Sequence, residues 1–541
     1  MRTGQKAPLP TSRPEVAEVV HDQTALETEQ YGPMDNSQIT ENEALLSIDL
    51  LTSGSGVDVF GTESLQWPDV GAPIFPSLED QDSSLFRYYF SLICRINSCF
   101  DSDKNLFRVG VGELTKSCPL IHHCILSMSA AHRSCQQGDL ATAALDHRTK
   151  AISCLRAELI KQNGENDSYS TSSVAKEETL LGSILLGMTE GWHNPSQLGI
   201  THLHGARGLF ISWIADNQKS TGPCSQIHSS PTRSFMVGIM AYWEAMASFV
   251  IDQPLDVVAY LELFLDRDEM SHIHPNPWTG ICTPLFIYLA KVGILGRQKS
   301  MLKKLSITNA GAGFRDKLQS TLVEQARETE KAVLRYRLPA DNRIEDTGDI
   351  LTPVHHLHQV AQIYRFATIL ELYLSFPELL PEPTANAAAA PSNRSIDKVL
   401  TLASSVLTLI RTIPSSSGAN VLLNAPLIIA GSTLQPTCRR IDTDTGRHDS
   451  SWDVLYMELL SLSSQEDVYL HWRDFVRERI EGLYSHVGVA TVRRGMEVLD
   501  KVWTRADIKA LVDVPDGMAN AADLVKWTDV MVEERLETIL G

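Results

Sequence analysis

Histidines are the first residues in this chain whose type could do chemistry. His355, His356 and His358 form the densest group. Two imidazoles on a helix bind one metal when they stand four apart, as in His-Glu-x-x-His, with a carboxylate as base. Positions 355, 356 and 358 point in different directions, and no carboxylate stands at a useful offset. They read as surface or core histidines. His122-His123 offers no more. His272 and His274 lie in His-Ile-His-Pro-Asn-Pro-Trp-Thr-Gly, a turn-rich loop with no thiol at metal-site spacing. Nine cysteines are present. Cys94-x4-Cys99 and Cys118-x5-Cys124 miss the Cys-x2-Cys spacing of structural zinc. The odd count and apolar neighbours such as Ile93 and Ile125 point to reduced core thiols.

Other catalytic patterns are equally incomplete. Gly110-Val-Gly112 lacks the third glycine and preceding strand of a phosphate cradle. There is no Gly-x-Ser-x-Gly elbow and no Asp-Asp-x-x-Asp cluster; Asp341–Asp346 is a loop of mixed charge. Glu190, His202, His204, Arg207, Trp243 and Glu244 are the one group that could build a titratable cluster in an apolar pocket. They support a second reading, a helical enzyme or accessory protein of secondary metabolism. No catalytic, cofactor-binding, metal or DNA-binding residue is assigned, and no cofactor is expected.

The elements that would position such groups are helices. Leu181, Ile184, Leu185, Met188 and Trp192 recur at helical spacing. After the breakers Gly191, Asn194 and Pro195, a second run shows Leu203, Ala206, Phe210 and Trp213. These two runs predict a helical hairpin over 173–214. Gly205 and Gly208 inside it predict close approach of a neighbouring helix, since each costs about 1 kcal/mol against Ala. Further helices are expected over 83–100, 119–133, 139–161, 234–251, 284–295, 312–337, 352–376, 396–412, 452–462, 466–482, 488–499 and 521–540. Residues 377–393 read as a Pro/Ala linker and a sub-boundary. Val421–Ile429 is apolar enough to be a strand. The fold class is all-α: one large domain of stacked helical hairpins, 83–541.

Residues 1–82 differ. They contain three basic and fifteen acidic residues, a large part of the chain's net charge of -19. Rich in Pro, Ser, Thr and Gly, they cannot bury enough surface to offset ordering entropy, and they read as a disordered acidic arm. Within it, Glu41–Val70 mixes acids with Leu45, Leu46, Leu50, Leu51, Phe60 and Trp67, a mixture that fits either a solvated tail, the plainer reading, or an activation segment. A strongly acidic chain repels phosphate backbones, so unaided DNA binding is not expected. The basic run Arg297–Lys304 reads as a solvated helix end. No run approaches the ~18 apolar residues of a membrane span, and the N-terminus carries no apolar signal core.

Several segments carry a resemblance, in order: "LFRYYFSLI" (85–93), "PLIHHCILSMSAAH" (119–132), "ALDHRTKAISCLRAEL" (144–159), "LLGSILLGMTEGW", "HLHGARGLF", "MAYWEAMAS" (240–248), "IYRFATILELYL" (363–374), "APLIIAGS" (425–432) and "GMEVLDKVW" (495–503). Together they resemble the fungus-specific transcription factor regulatory domain over 83–541. Glu244 stands where that family usually has Asp. The family's DNA reader is a basic Cys-x2-Cys-x6-Cys cluster around two zinc ions, and residues 1–82 contain no cysteine. The resemblance therefore implies a nuclear regulator of a metabolic or secondary-metabolite gene set, one that either acts without that reader or has the segment encoding it missing from the gene model. Protein partners, such as the transcription machinery or a DNA-binding regulator, are expected; a small-molecule effector and a homodimer are compatible with it.

Overall fold

Burial of one stripe per helix organises the molecule. A computed structural model of the chain describes residues 80–540 apart from 136–137, 165–172, 222–229, 266–271, 306–311, 381–393, 437–464 and 513–520. The acidic arm and the helix expected at 452–462 lie outside the described residues. The described part belongs to one unit, Phe75–Gly541.

The chain opens with α1 (Gln81–Tyr88), which continues through a π-helical turn, Tyr89–Ile93, into α2 (Cys94–Ile96). Short α3 (Gly110–Leu114) precedes α4 (Pro119–Ser134), whose first position is proline, where the missing N–H is not needed. α5 (Ala141–Gly164) packs back along α4. The expected hairpin follows as α6 (Ser173–Met188), the turn α7 (Glu190–His193) and α8 (Ile200–Thr221). α6 packs on α8 through the stripes read above: Leu181, Ile184, Leu185 and Met188 are buried, as are Leu203, Ala206, Phe210 and Trp213. α9 (Pro231–Ala247) packs on α10 (Thr283–Leu305), which in turn carries α11 (Ala312–Arg335) and α12 (Val354–Ser375). α13 (Arg394–Thr412), α14 (Asn424–Gly431), α15 (Gln465–Val487), α16 (Ala490–Val512) and α17 (Trp527–Glu533) complete the series.

Among the described residues there is no strand, only isolated bridges joining Ile273 to Ile344 and Asn276 to Gly280. The segment read as a strand at Val421–Ile429 is a 3-10 turn, Gly418–Leu422, followed by α14. Every residue of α14 is buried, because α12, α13, α15 and α16 surround it. A helix enclosed on all sides is apolar all round, so its sequence shows no helical period.

Three other expectations change. α10 runs through Gly296 to Leu305, so the basic run Arg297–Lys304 is its last turns. Arg297 pairs with Asp252 at 2.7 Å and Lys299 with Glu378 at 2.7 Å, both outside the helix. Residues 521–540 are not one helix: Ala521–Asp523 is a turn, and α17 stops at Glu533. There Arg535 adopts φ 57 and the Leu536 N–H donates to the Met531 carbonyl at 2.8 Å, a left-handed helix stop.

The close approaches fall on glycines other than Gly205 and Gly208. A Cβ on Gly208 would meet nothing within 4 Å, and one on Gly205 only Ser183 Oγ at 3.9 Å. Both are exposed. A Cβ on Gly187 would stand 2.3 Å from Cη2 of Trp243 and 2.7 Å from Cβ of His202. Gly199, at φ +64, lets the return loop pass against the Gly187 carbonyl.

The two ends of the unit meet through His132 on α4. Its Nε2 lies 2.7 Å from the Val487 carbonyl, which only accepts, so Nε2 carries the proton. Nδ1 then accepts from the Tyr88 hydroxyl at 2.8 Å. Burial lowers the His132 pKa, which holds this neutral form. Five of the described cysteines, Cys94, Cys99, Cys118, Cys124 and Cys282, are buried. No helix among the described residues is long and apolar enough to cross a membrane.

Candidate functional site

The six residues singled out above come from three helices, and the structure divides them. α8 and α9 bring Arg207 against Glu244: Nε donates to Oε1 at 2.6 Å and Nη2 to Oε2 at 2.7 Å. Both side chains are buried. The Tyr260 hydroxyl donates to Glu244 Oε1 at 2.6 Å, and Arg207 Nη2 also donates to Gln253 Oε1 at 2.7 Å. Burial would lower the Arg207 pKa; the paired carboxylate more than offsets it, and the net shift is upward. Burial and the same carboxylate push Tyr260 up. Each charge is met from several sides, as a buried pair must be to survive desolvation. Breaking such a pair costs about 3–5 kcal/mol. This is a clasp between α8, α9 and the 253–260 segment.

Glu190 belongs to a second group. Its Oε1 accepts from Arg148 Nη2 of α5 at 2.5 Å and lies 3.6 Å from His202 Nε2. His193 beside it is pushed down to about 4 by burial, with the Arg148 charge adding to the effect. His193 Nε2 lies 3.2 Å from Ser127 Oγ, but that hydroxyl donates to the Ala144 carbonyl at 2.9 Å. The serine is therefore the acceptor from the imidazole and is not activated as a nucleophile. His204 is exposed. Trp243 is fully buried against Gly187, and its indole N–H has no hydrogen-bond partner. The six do not line one pocket.

Two cavities are lined by none of these six residues. One, about 10 Å³, lies beside Glu371, Lys526 and Trp527. The other, about 50 Å³, lies among Met128, Tyr242, Trp278 and Leu483, with Asn97 and Asn424 in its wall. Asn97 Nδ2 and Asn424 Oδ1 are buried without hydrogen-bond partners. A water needs roughly 10–15 Å³, so the larger space suits about three or four waters bridging such groups.

The elements now fall at the places the ordered motifs require: 119–132 is α4, 363–374 lies in α12, and 495–503 lies in α16. The model of the fungal specific transcription factor domain matches residues 84–541. The chain belongs to that family. It is a regulatory family, not an enzymatic one, and the match runs from within α1 through every later helix described above. No curated protein and no solved structure is significantly similar to the chain.

Within this fungal transcription factor domain several other histidines find partners that spacing could not reveal. His356 Nδ1 lies 3.0 Å from Ser417 Oγ, and His358 lies 2.7 Å from Asp341. His123 meets His147 at 3.2 Å, and His147 in turn meets Asp82 at 3.1 Å. His272 and His274, read as a loop pair without a third ligand, gain Glu345. The Cys94 and Cys99 thiols point to the Phe107 and Asn276 carbonyls, and burial pushes both pKa values up, Cys94 to about 12. They are inert core thiols. Arg148, Gln253, Tyr260 and Glu345 carry the geometry described here, and no local motif distinguishes any of them.

Proposed function

We propose that this chain regulates transcription of a metabolic gene set in the nucleus, through protein contacts rather than through chemistry or DNA reading of its own. The observation that carries this is the family match across 84–541. The acidic-hydrophobic stretch Glu41–Val70 supports an activation role, with Leu and aromatic residues to anchor a partner and acids to steer it. Exposed apolar positions on the helical body support partner docking: Leu145, Ile152 and Ile160 stand seven and eight residues apart along α5, on one face. Four of the six candidate residues fall in two separate clasps, Arg207 with Glu244 and Glu190 with His202, while His204 is exposed and Trp243 is packed in the core, which favours a non-enzymatic reading.

The test is a tethered reporter. Residues 1–82 fused to a heterologous DNA-binding domain should activate transcription. Replacing Leu45, Leu46, Leu50, Leu51, Phe60 and Trp67 with Ala should abolish at least about nine-tenths of that signal, by removing the anchors but not the charge. Unchanged output in the substituted arm would remove the activation role.

A further inference from the structure

The geometry points to a divalent-metal site at His272, His274 and Glu345 that clamps the segment before α10 to the segment before α12. It is distinct from any cysteine-based zinc cluster. The backbone builds it. Ile273 N donates to the Arg343 carbonyl at 2.8 Å, and Glu345 N donates to the Ile273 carbonyl at 2.9 Å, a parallel bridge between Ile273 and Ile344. Side chains alternate along extended backbone. Ile273 and Ile344 turn into the core, where both are buried. The residues flanking them, His272, His274 and Glu345, share the opposite face.

The chemistry fits a borderline transition ion. One nitrogen from each imidazole and one carboxylate oxygen lie within 4.8 Å of one another. Ligand bonds of about 2.0–2.2 Å in a tetrahedral site place donor atoms about 3.3–3.5 Å apart. His274 Nδ1 and Glu345 Oε2, at 2.5 Å, need to part by about 1 Å, and the His272 ring needs to turn to match them. His272 is exposed, so its ring is free to turn and water can fill the remaining positions. Two imidazoles and one carboxylate with open positions suit Zn²⁺ and its neighbours in the transition series better than Mg²⁺ or Ca²⁺. Glu345 Oε1 is held by Lys104 Nζ at 3.0 Å, and Lys104 also donates to the Asp346 carbonyl at 2.9 Å. That ammonium fixes the carboxylate and also repels a cation. The result is a site of moderate affinity that loads and unloads, in contrast to a permanently filled structural one.

Zinc titration of the full chain against a chromophoric chelator tests the assignment, with the His272→Ala/His274→Ala double variant as the baseline for the other histidines and cysteines. The wild type should bind one more equivalent than the baseline, at micromolar affinity. His272→Ala alone should weaken that equivalent at least tenfold; it leaves the His274–Glu345 pair in place and removes only an exposed ring, so misfolding does not explain a loss. Glu345→Gln should do the same. Lys104→Gln should tighten it by about fivefold, because it removes a positive charge close to the ion. An extra equivalent that survives His272→Ala, or titrations identical in wild type and double variant, would overturn the site.

Discussion

At the residue scale, Glu371 shows how burial converts a side chain into a pH-dependent element of stability. It lies on α12, fully enclosed, and accepts from Trp527 Nε1 at 2.8 Å and Ser375 Oγ at 3.3 Å. Burial pushes its pKa up to about 7, against the lowering effects of Trp527, Lys526 and Ser375. The folded state thus holds this proton more tightly than the unfolded chain, whose carboxyl has the usual value near 4.5. Stability from this group is fully present below pH ~4.5 and is lost as pH rises through about 7. Glu371→Gln keeps an acceptor for Trp527 and removes the ionisation. Its melting temperature relative to wild type should rise between pH 5 and 8, with a stability gain above pH 7 on the order of 3 kcal/mol. A difference in melting temperature that stays flat across that range would show that Glu371 does not titrate there. Nothing around Glu371 in the sequence suggests this, because Trp527 and Lys526 lie more than 150 positions away. Tyr260 and Gln253 lie nearer in sequence to the Arg207–Glu244 clasp, 16 and 46 positions from the residues they bond, but no helical spacing joins them to it.

At the scale of elements, the helices with one buried stripe were readable, and so was the longer α9, buried almost throughout, whereas short α14, enclosed on every side, was not. α6, α8 and α12 showed their stripes because solvent on the far face selects polar residues there. α14 showed none, since all four of its neighbours demand apolar contact, and it passed for a strand. Glycine was read in kind but not in place. Gly205 and Gly208 lie on the outer face of α8, and the tight contact is at Gly187 of α6 under Trp243. Two substitutions separate these roles. Gly187→Ala forces a methyl into a rigid indole and should destabilise the domain by about 1–3 kcal/mol. Gly208→Ala meets open space on an exposed helix and should stabilise it by about 0.5–1 kcal/mol. Thermal unfolding followed by circular dichroism measures both, and equal signs would mean the α6–α9 contact is looser than the structure has it.

At the scale of the whole molecule, charge decides what the chain can approach. With a net charge of -19, it is repelled by phosphate backbones at any distance inside the Debye length. The purified chain should therefore show no sequence-specific DNA binding below micromolar concentration in a gel shift at 150 mM salt. A nanomolar, competitor-resistant complex would contradict this and restore direct DNA reading to the protein. Composition and order of motifs were enough, without coordinates, to establish an α-helical regulatory body, because helical period and charge are properties of short stretches and of the chain as a sum. Only the tertiary structure decided that Arg207 faces Glu244 and Tyr260, that His132 joins α1 to the end of α15, and that Glu345 stands beside His272 and His274. Those pairings join residues up to 355 positions apart. They depend on which helix faces which, and packing of complete surfaces sets that; the spacing of residues along any one segment does not.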